Sequence, residues 1–322
     1  MIESAPATAV MYGYHDVGAR CLRVLLAHGV KVLRVVTHAD NPAETIFFER
    51  VADVARDYGL PVVTPSDPNT PPEVAAIAAL APDFIFSFYY RQMLAPALLA
   101  IPPRGALNMH GSLLPSYRGR APVNWAVLRG ERETGATLHY MTEKADAGDI
   151  VAQALVSILP DDTARAVFDK VTAAAEQVLD DALPALIAGT APRRPQDVSA
   201  ARYFGARRAE DGTIDWTRDA ATIHNLVRAV APPYPGALTT LDGAPARVLS
   251  TRVLDASAAP VENPVIEVRD GAIVARCGGG GTLAVLALEV GGTPCDAPSL
   301  RARFGDKPVA LGTPEGVARR HV

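Results

Sequence analysis

Cysteine is scarce in this chain, and neither sign of charge predominates. Cys21, Cys277 and Cys295 are the only cysteines among 322 residues, and none of them belongs to a CxxC pair. This excludes a disulfide framework, and no metal site is predicted. Lys and Arg together number 31, against 35 Asp and Glu. A slightly acidic chain lacks the general positive field that attracts proteins to nucleic acid, so no nucleic-acid partner is expected.

Long hydrophobic runs and export signals are also missing. No apolar stretch reaches the roughly 18 residues that span a bilayer, although 49% of the residues are hydrophobic. Residues 1–4 (Met-Ile-Glu-Ser) do not start a basic segment followed by an apolar one, as a signal peptide would. We therefore expect a cytoplasmic protein with no membrane partner, long enough to bury the cores of two domains.

A glycine-rich phosphate loop is absent as well. The segment 13–18 (Gly-Tyr-His-Asp-Val-Gly) follows the first apolar run, where a dinucleotide-binding loop would lie. Residue 15 is histidine where GxGxxG needs glycine, and no GxxxxGK[ST] loop occurs. The pattern disfavours an NAD site and predicts a plain turn between a strand and a helix.

The first half of the chain alternates short apolar runs with helical periodicity. Helices are indicated by the spacing of Phe47, Val51, Val54 and Tyr58, and over residues 161–188, where Thr163 is a candidate cap. This alternation predicts an α/β fold with an open, mostly parallel, Rossmann-like sheet. The predicted strands cover residues 9–12, 31–37, 84–88, 106–110, 134–141 and 150–158.

The pattern changes near residue 190. Residues 191–202 are rich in proline and polar side chains and predict a linker. After a helix over residues 220–230, short runs separated by turn residues predict a smaller, mainly-β domain, an OB-like barrel. Its predicted strands cover residues 246–253, 266–269, 273–277 and 283–290. We expect a Rossmann-like domain over 1–190, the linker over 191–202 and the small β domain over 203–322.

Asn108 and His110 end a predicted strand, and ligands of open α/β sheets bind beyond the carboxyl ends of the strands. Alternate strand residues share one face, so an amide and an imidazole would line the same wall. Asp146, in the loop after the strand 134–141, is a candidate partner that would hold His110 and raise its pKa. The structural alternatives are a core histidine and a turn-forming aspartate.

Arg118 and Arg120 precede a predicted helix with Pro122 near its first turn. An arginine fork and a helix amino end both suit phosphate or carboxylate groups. A pair of solvated arginines is the alternative.

These motifs together resemble the 10-formyltetrahydrofolate-dependent formyltransferase family. The family pattern is Asn-x-His, Ser-Leu-Leu-Pro, Arg-Gly and a downstream Asp, and it is filled by Asn108, His110, residues 112–115, residues 118–119 and Asp146. The resemblance implies formyl transfer to an amine, with 10-formyltetrahydrofolate as the co-substrate. In that reaction the Asn108 amide would stabilise the oxyanion, His110 would carry the proton, and Asp146 would orient and stabilise the imidazolium.

The resemblance also implies a folate site. Its residues would be Gln92, Met93, Leu94, Arg120, Thr142, Glu143, Lys144, Ala145 and Asp146.

Further stretches resemble family members that formylate UDP-4-amino-4-deoxy-L-arabinose in lipid A modification. These stretches are residues 14–16, 37–38, 40–42, 86–91, 119–125 and 130–135. The implied partner is a small sugar nucleotide. The alternatives are a methionyl-tRNA formyltransferase, an enzyme for another amino-sugar nucleotide, and a non-catalytic nucleotide-binding module. Residues 203–322 carry 13 basic and 13 acidic residues, a balance that argues against a surface for gripping tRNA.

Overall fold

The computed structural model describes residues 5–42 and 46–314, so residues 1–4, considered above for a signal peptide, lie outside the described part. It divides into two compact units. Unit one comprises the chain up to Pro122 together with Glu133–Ser157 and Phe168–Phe204, and unit two comprises Val123–Arg132, Ile158–Val167 and the chain from Gly205. The domain limits predicted above, 1–190, 191–202 and 203–322, stay a prediction.

Unit one is built on a seven-stranded sheet. Its strands are β1 (Thr8–Gly13), β2 (Lys31–Val36), β3 (Val62–Val63), β4 (Phe84–Phe88), β5 (Ala106–His110), β7 (Glu133–Tyr140) and β8 (Ile150–Ser157). Two further strands, β6 (Arg118–Gly119) and β9 (Tyr203–Phe204), form a separate two-stranded sheet. The sheet order is β3-β2-β1-β4-β5-β7-β8. All pairs from β3 to β5 are parallel, whereas β7 pairs antiparallel with both β5 and β8. Every residue of β4 is buried, as expected for the middle of a parallel sheet.

The helices are α1 (His15–Ala27), α2 (Val51–Asp57), α3 (Pro71–Ala78), α4 (Pro96–Leu99), α5 (Pro122–Leu128), α6 (Ala164–Ala188), α7 (Ala220–Val230) and α8 (Ala297–Phe304). Because α1 begins two residues after β1 ends, the predicted turn at residues 13–18 is confirmed. The Thr163 hydroxyl accepts a hydrogen bond from the Ala166 amide at 3.2 Å, which confirms the predicted cap of α6.

The helix predicted from the spacing of Phe47 is wrong over its first turn, because α2 begins at Val51. The rings of Phe47 and Phe48 contact His15, with centroids 5.6 and 4.0 Å away, and Phe48 also lies 5.0 Å from Tyr14. Such ring pairs contribute about 0.5–1.5 kcal/mol each beyond the area they bury. These tertiary contacts outweigh the helical spacing, since helix propensity is a weak preference.

Unit two contains the predicted antiparallel barrel. Its strands are β10 (Ala237–Leu241), β11 (Ala244–Asp255), β12 (Val265–Arg269), β13 (Ala272–Arg276), β14 (Thr282–Val290), β15 (Thr293–Pro294) and β16 (Val309–Gly312). They form a sheet in the order β11-β10-β16-β12-β13-β14-β15, which closes through a further pairing of β11 with β14. Val248, Ile266 and Leu283 are fully buried in its core, together with Val227 of α7. The predicted fold class is confirmed.

In the part of the chain that the structure describes, no helix is both long and apolar enough to cross a membrane.

Candidate active site

The carboxyl end of β5 presents an amide and an imidazole beside a second imidazole from β7. Antiparallel pairing places His139 opposite Asn108, and the Asn108 Nδ2 atom lies 3.1 Å from His139 Nε2. His139 Nδ1 lies 2.8 Å from the Tyr140 carbonyl oxygen. A carbonyl only accepts, so Nδ1 carries a hydrogen and, in the neutral ring, Nε2 accepts from the Asn108 amide.

One ring nitrogen of His110 is hydrogen-bonded to a backbone carbonyl, and the other faces a carboxylate. It is buried, its Nε2 donates to the Tyr117 carbonyl at 2.8 Å, and its Nδ1 lies 3.5 Å from Asp146 Oδ1. Burial lowers the pKa of His110, although the negative charge of Asp146 opposes this shift. Because Nε2 already carries a hydrogen, Nδ1 is the nitrogen at which the ring gains a proton.

Asp146 is the acidic centre of the cluster. Its Oδ2 accepts from the Gly119 amide at 2.9 Å, and its Oδ1 also lies 3.6 Å from His139 Nε2. Burial opposes ionisation, but interaction with His110 and His139 and the Gly119 hydrogen bond outweigh it, so the pKa of Asp146 lies well below its usual range. A permanent carboxylate thus faces two imidazoles.

The predicted catalytic residues Asn108, His110 and Asp146 are therefore brought together in unit one. Sequence analysis did not single out His139, which joins the same cluster. The available signal was the polar Thr137-x-His139 alternation in an otherwise apolar predicted strand. An amide donor, a proton-accepting imidazole and a fixed carboxylate can stabilise an oxyanion, move a proton and balance the resulting positive charge.

The loop after β5 is held in place by hydrogen bonds to a buried threonine of β7. Thr137 Oγ1 donates to the Ser112 carbonyl at 2.6 Å and accepts from the Leu114 amide at 3.1 Å. Ser112 Oγ in turn donates to the Ser116 carbonyl at 2.6 Å. These bonds fix the loop that carries the Tyr117 carbonyl, and this carbonyl holds the His110 ring.

The segment predicted to bind folate after β4 lies over the same sheet face as Asn108. Leu94 is buried in a cluster that includes Ala106, and Ala106 and Asn108 point the same way because they are two residues apart. Met141, next to the second predicted folate segment, packs on this cluster too. Gln92 donates from Nε2 to the Ser66 carbonyl at 2.9 Å, while its buried Oε1 receives no hydrogen bond from any residue that the structure describes.

The remaining residues predicted to bind folate are mostly exposed. Met93 is 58% exposed, and Thr142, Glu143 and Lys144 lie at the surface. Arg120 is exposed as well. The structure places these residues at loop surfaces of unit one, outside the hydrogen-bonded cluster around Asp146.

Arg118 and Arg120 have different environments, so neither alternative for the pair holds as a whole. Arg118 is only 1% exposed. Its Nε and Nη2 donate to Gln196 Oε1 at 3.2 and 2.6 Å, and its Nη1 donates to the Tyr203 hydroxyl at 3.3 Å. Arg118 is thus a buried structural residue, whereas Arg120 faces solvent.

Comparison with known proteins agrees with the fold of this chain. Solved structures with the same fold include the N-formyltransferase from Helicobacter canadensis in complex with folinic acid and dTDP-3-aminofucose, which is 17% identical, covers 87% of this chain and 99% of that chain, and has a TM-score of 0.67. WlaRD, a sugar 3N-formyl transferase, is 17% identical, with coverages of 87% and 97% and a TM-score of 0.68. A sugar N-formyltransferase from Shewanella sp. FDAARGOS_354 is 18% identical, with coverages of 72% and 92% and a TM-score of 0.59.

Two family models also match the sequence. The model described as "Formyl transferase, C-terminal domain" matches residues 207–304. The model described as "Formyl transferase" matches residues 20–183, half of the chain, and this chain therefore belongs to the formyl transferase family.

Proposed function

We propose that the protein transfers the formyl group of 10-formyltetrahydrofolate to the amino group of a sugar nucleotide. The observation that carries this proposal is the cluster of Asn108, His110 and Asp146 on one sheet face, in a chain of the formyl transferase family. The Helicobacter canadensis enzyme was solved with folinic acid and an amino-sugar nucleotide. That pair of ligands supports a formyl-folate donor and a sugar-nucleotide acceptor here.

The residues around Gln92 fit a folate. The buried Gln92 Oε1 has no donor among the described residues, and a pterin ring carries several N–H groups that could supply one. Leu94 adds an apolar surface over the face that carries Asn108. When bound, the folate supplies the formyl carbon that an amine attacks.

Asn108 has the donors that the developing oxyanion needs. A side-chain amide has two N–H donors, and one of them holds His139 at 3.1 Å. The second remains for the formyl oxygen as negative charge develops. One such donor typically contributes about 3–4 kcal/mol of barrier lowering.

His110 and Asp146 handle the proton. The attacking amine must lose a proton, and Nδ1 is the basic nitrogen of His110 because Nε2 donates to the Tyr117 carbonyl. The imidazolium that forms is stabilised by the Asp146 carboxylate, 3.5 Å from Nδ1. His110 then returns a proton to the departing folate nitrogen, so that Asp146 stays ionised throughout.

We further propose UDP-4-amino-4-deoxy-L-arabinose as the acceptor, and with it a role in lipid A modification. Support comes from the resemblance of residues 14–16, 37–38, 40–42 and 119–125 and from the charge balance of residues 203–322. Two residues of the 119–125 stretch have structural roles in unit two. Asn124 donates to the Ala229 carbonyl at 3.0 Å and Trp125 to the Gly205 carbonyl at 2.9 Å.

A panel of acceptors tests both proposals. Purified protein and 10-formyltetrahydrofolate are incubated with UDP-4-amino-4-deoxy-L-arabinose, dTDP-3-aminofucose or methionyl-tRNA, at low and moderate salt, and products are identified by mass. We expect turnover of the UDP sugar and none of the tRNA. Turnover of the dTDP sugar alone would discard the named acceptor and keep the reaction class. Formylation of tRNA alone would contradict the sugar-nucleotide proposal, and no turnover at all would favour a non-catalytic binding module.

A further inference from the structure

Residues 193–204, which we call the clasp, run along the catalytic cluster of unit one. The Arg194 amide and carbonyl exchange hydrogen bonds with those of Ile150 at 3.0 and 2.8 Å. The Arg193 guanidinium lies 3.7 Å from the centre of the Tyr140 ring. At its other end, β9 of the clasp pairs with β6. A segment predicted as a linker therefore makes regular contacts on both sides of the loop that carries Asp146.

Gln196 lies in the middle of the clasp and uses all the hydrogen-bonding capacity of its amide. Nε2 donates to the main-chain carbonyls of Asp146 and Gly148 at 3.0 and 2.7 Å. Oε1 accepts two bonds from the buried Arg118 guanidinium, at 3.2 and 2.6 Å. An amide offers two donors and two acceptor sites, so each of the four is engaged. We infer that Gln196 is a positioning residue, which sets the place of the Asp146 carboxylate through the loop backbone; this inference rests on the proposed function.

The loop backbone follows a tight path beside the sheet. Asp146 has a φ of 52°, in the left-handed region that aspartate adopts more readily than most residues other than glycine. Gly148 approaches so closely that a Cβ there would lie 2.0 Å from the Tyr140 carbonyl oxygen. Without Gln196, two carbonyls of this loop would lose their donor, and the loop could relax away from the sheet.

The segment Arg118–Gly119 links two restraints on Asp146, one on its main chain and one on its side chain. Gln196 holds the Arg118 guanidinium, and the next residue, Gly119, donates its amide to Asp146 Oδ2 at 2.9 Å. The carboxylate is therefore fixed from two directions. A shift of about 1 Å in a catalytic group can cost on the order of a hundredfold in rate.

Displacement of this loop would also change the environment of His110. The charged and titratable groups that face His110 are Asp146, His139 and Arg118, and of these only Asp146 favours the imidazolium. If the carboxylate moves away, the pKa of His110 falls. A purely structural role of Gln196 would leave that pKa unchanged.

The decisive variant is Gln196→Glu, compared with Gln196→Ala. Glutamate keeps an acceptor for Arg118 and adds a charge pair, but it has no donors and brings an oxygen against the carbonyls of Asp146 and Gly148. Gln177→Ala is the matched control, because Gln177 is exposed and its amide donates to Asp181 at 2.9 Å. The measurements are kcat, KM for both substrates, thermal unfolding, and NMR titration of the His110 ring in the substrate-free protein.

We expect both Gln196 variants to lower kcat by roughly ten- to a hundredfold, with KM changed by less than about threefold. The pKa of His110 should be lower in Gln196→Ala than in the wild type, and Gln177→Ala should behave as the wild type. A Gln196→Glu protein with wild-type kcat would overturn the inference even if Gln196→Ala fails to fold, and so would a folded Gln196→Ala protein with an unchanged His110 titration. Because the titration needs no substrate, it tests the inference separately: a wild type that formylates no acceptor would refute the proposed function alone.

Discussion

Replacement of Asp146 by asparagine removes one charge from the cluster and leaves its shape nearly unchanged. Full charges separated by the 3.5 Å between His110 Nδ1 and Asp146 Oδ1 attract by about 5 kcal/mol at an effective dielectric constant of 20. A hydrogen bond that protonated Nδ1 donates to the asparagine Oδ1 recovers part of this. We take the net loss as about 3 kcal/mol, which is about two pKa units and on the order of a hundredfold in rate.

The ring tautomer should survive the substitution, because the Tyr117 carbonyl holds a hydrogen on His110 Nε2 independently of Asp146. The substitution should therefore change only the basicity of His110. The pKa of His110 already lies below its usual value through burial. Since a nearby carboxylate raises it, its removal lowers this pKa further, and the acidic limb of the kcat/KM profile should move to lower pH.

The assay follows formyl transfer to the amino-sugar nucleotide between pH 5 and 9, a window of roughly two units around neutrality that includes the usual His pKa. Asp149→Asn is the control, since it removes the same charge from the same loop outside the cluster. An Asp146→Asn enzyme with kcat within about threefold of the wild type, or an acidic limb that moves upward, would refute the role given to Asp146.

Three other substitutions probe the fold and the site. Asn108→Ala should lower kcat by roughly 100- to 1,000-fold with little change in KM, measured by initial rates, because it removes the oxyanion donor; an equal change confined to KM would argue for a binding role. Burial, aided by the charge of Arg91, lowers the pKa of His38 to about 4, so this group stabilises the fold fully above its unfolded pKa of about 6.5 and progressively less as pH falls towards 4. Urea unfolding of His38→Gln should lose that part of the pH dependence, and an unaltered slope would contradict it. Gly119→Ala should lower both Tm and activity, because its φ is 101° and a Cβ would lie 2.2 Å from a backbone oxygen, whereas Gly205→Ala, with open space around it, should change neither.

Local sequence patterns were sufficient to predict much of the fold and part of the candidate site. β4 and β5 have the predicted bounds because they are short apolar runs ending in polar or turn residues. Asn108 and His110 share a face for the simple reason that strand side chains alternate. The start of α2 was missed because Phe47 and Phe48 pack on distant rings, and sequence spacing does not report such contacts.

Features that depend on strand pairing could not be predicted from local sequence patterns. His139 enters the cluster only because β7 runs antiparallel beside β5 in one particular register, which no local signal specifies. The burial of Arg118 likewise depends on Gln196, which lies 78 positions away in the chain. The segment that contains Gln196 looked like a linker because its bonds are to partners remote in sequence.

The central claim is that His110 carries the proton in formyl transfer to a sugar-nucleotide amine. Its most direct test compares the wild type with His110→Ala, using 10-formyltetrahydrofolate and UDP-4-amino-4-deoxy-L-arabinose, and follows the mass gain of one formyl group together with folate binding by calorimetry. We expect formylated product with the wild type only, and folate affinities within about threefold, because the role of His110 arises in the transition state. Undiminished turnover by His110→Ala would contradict it.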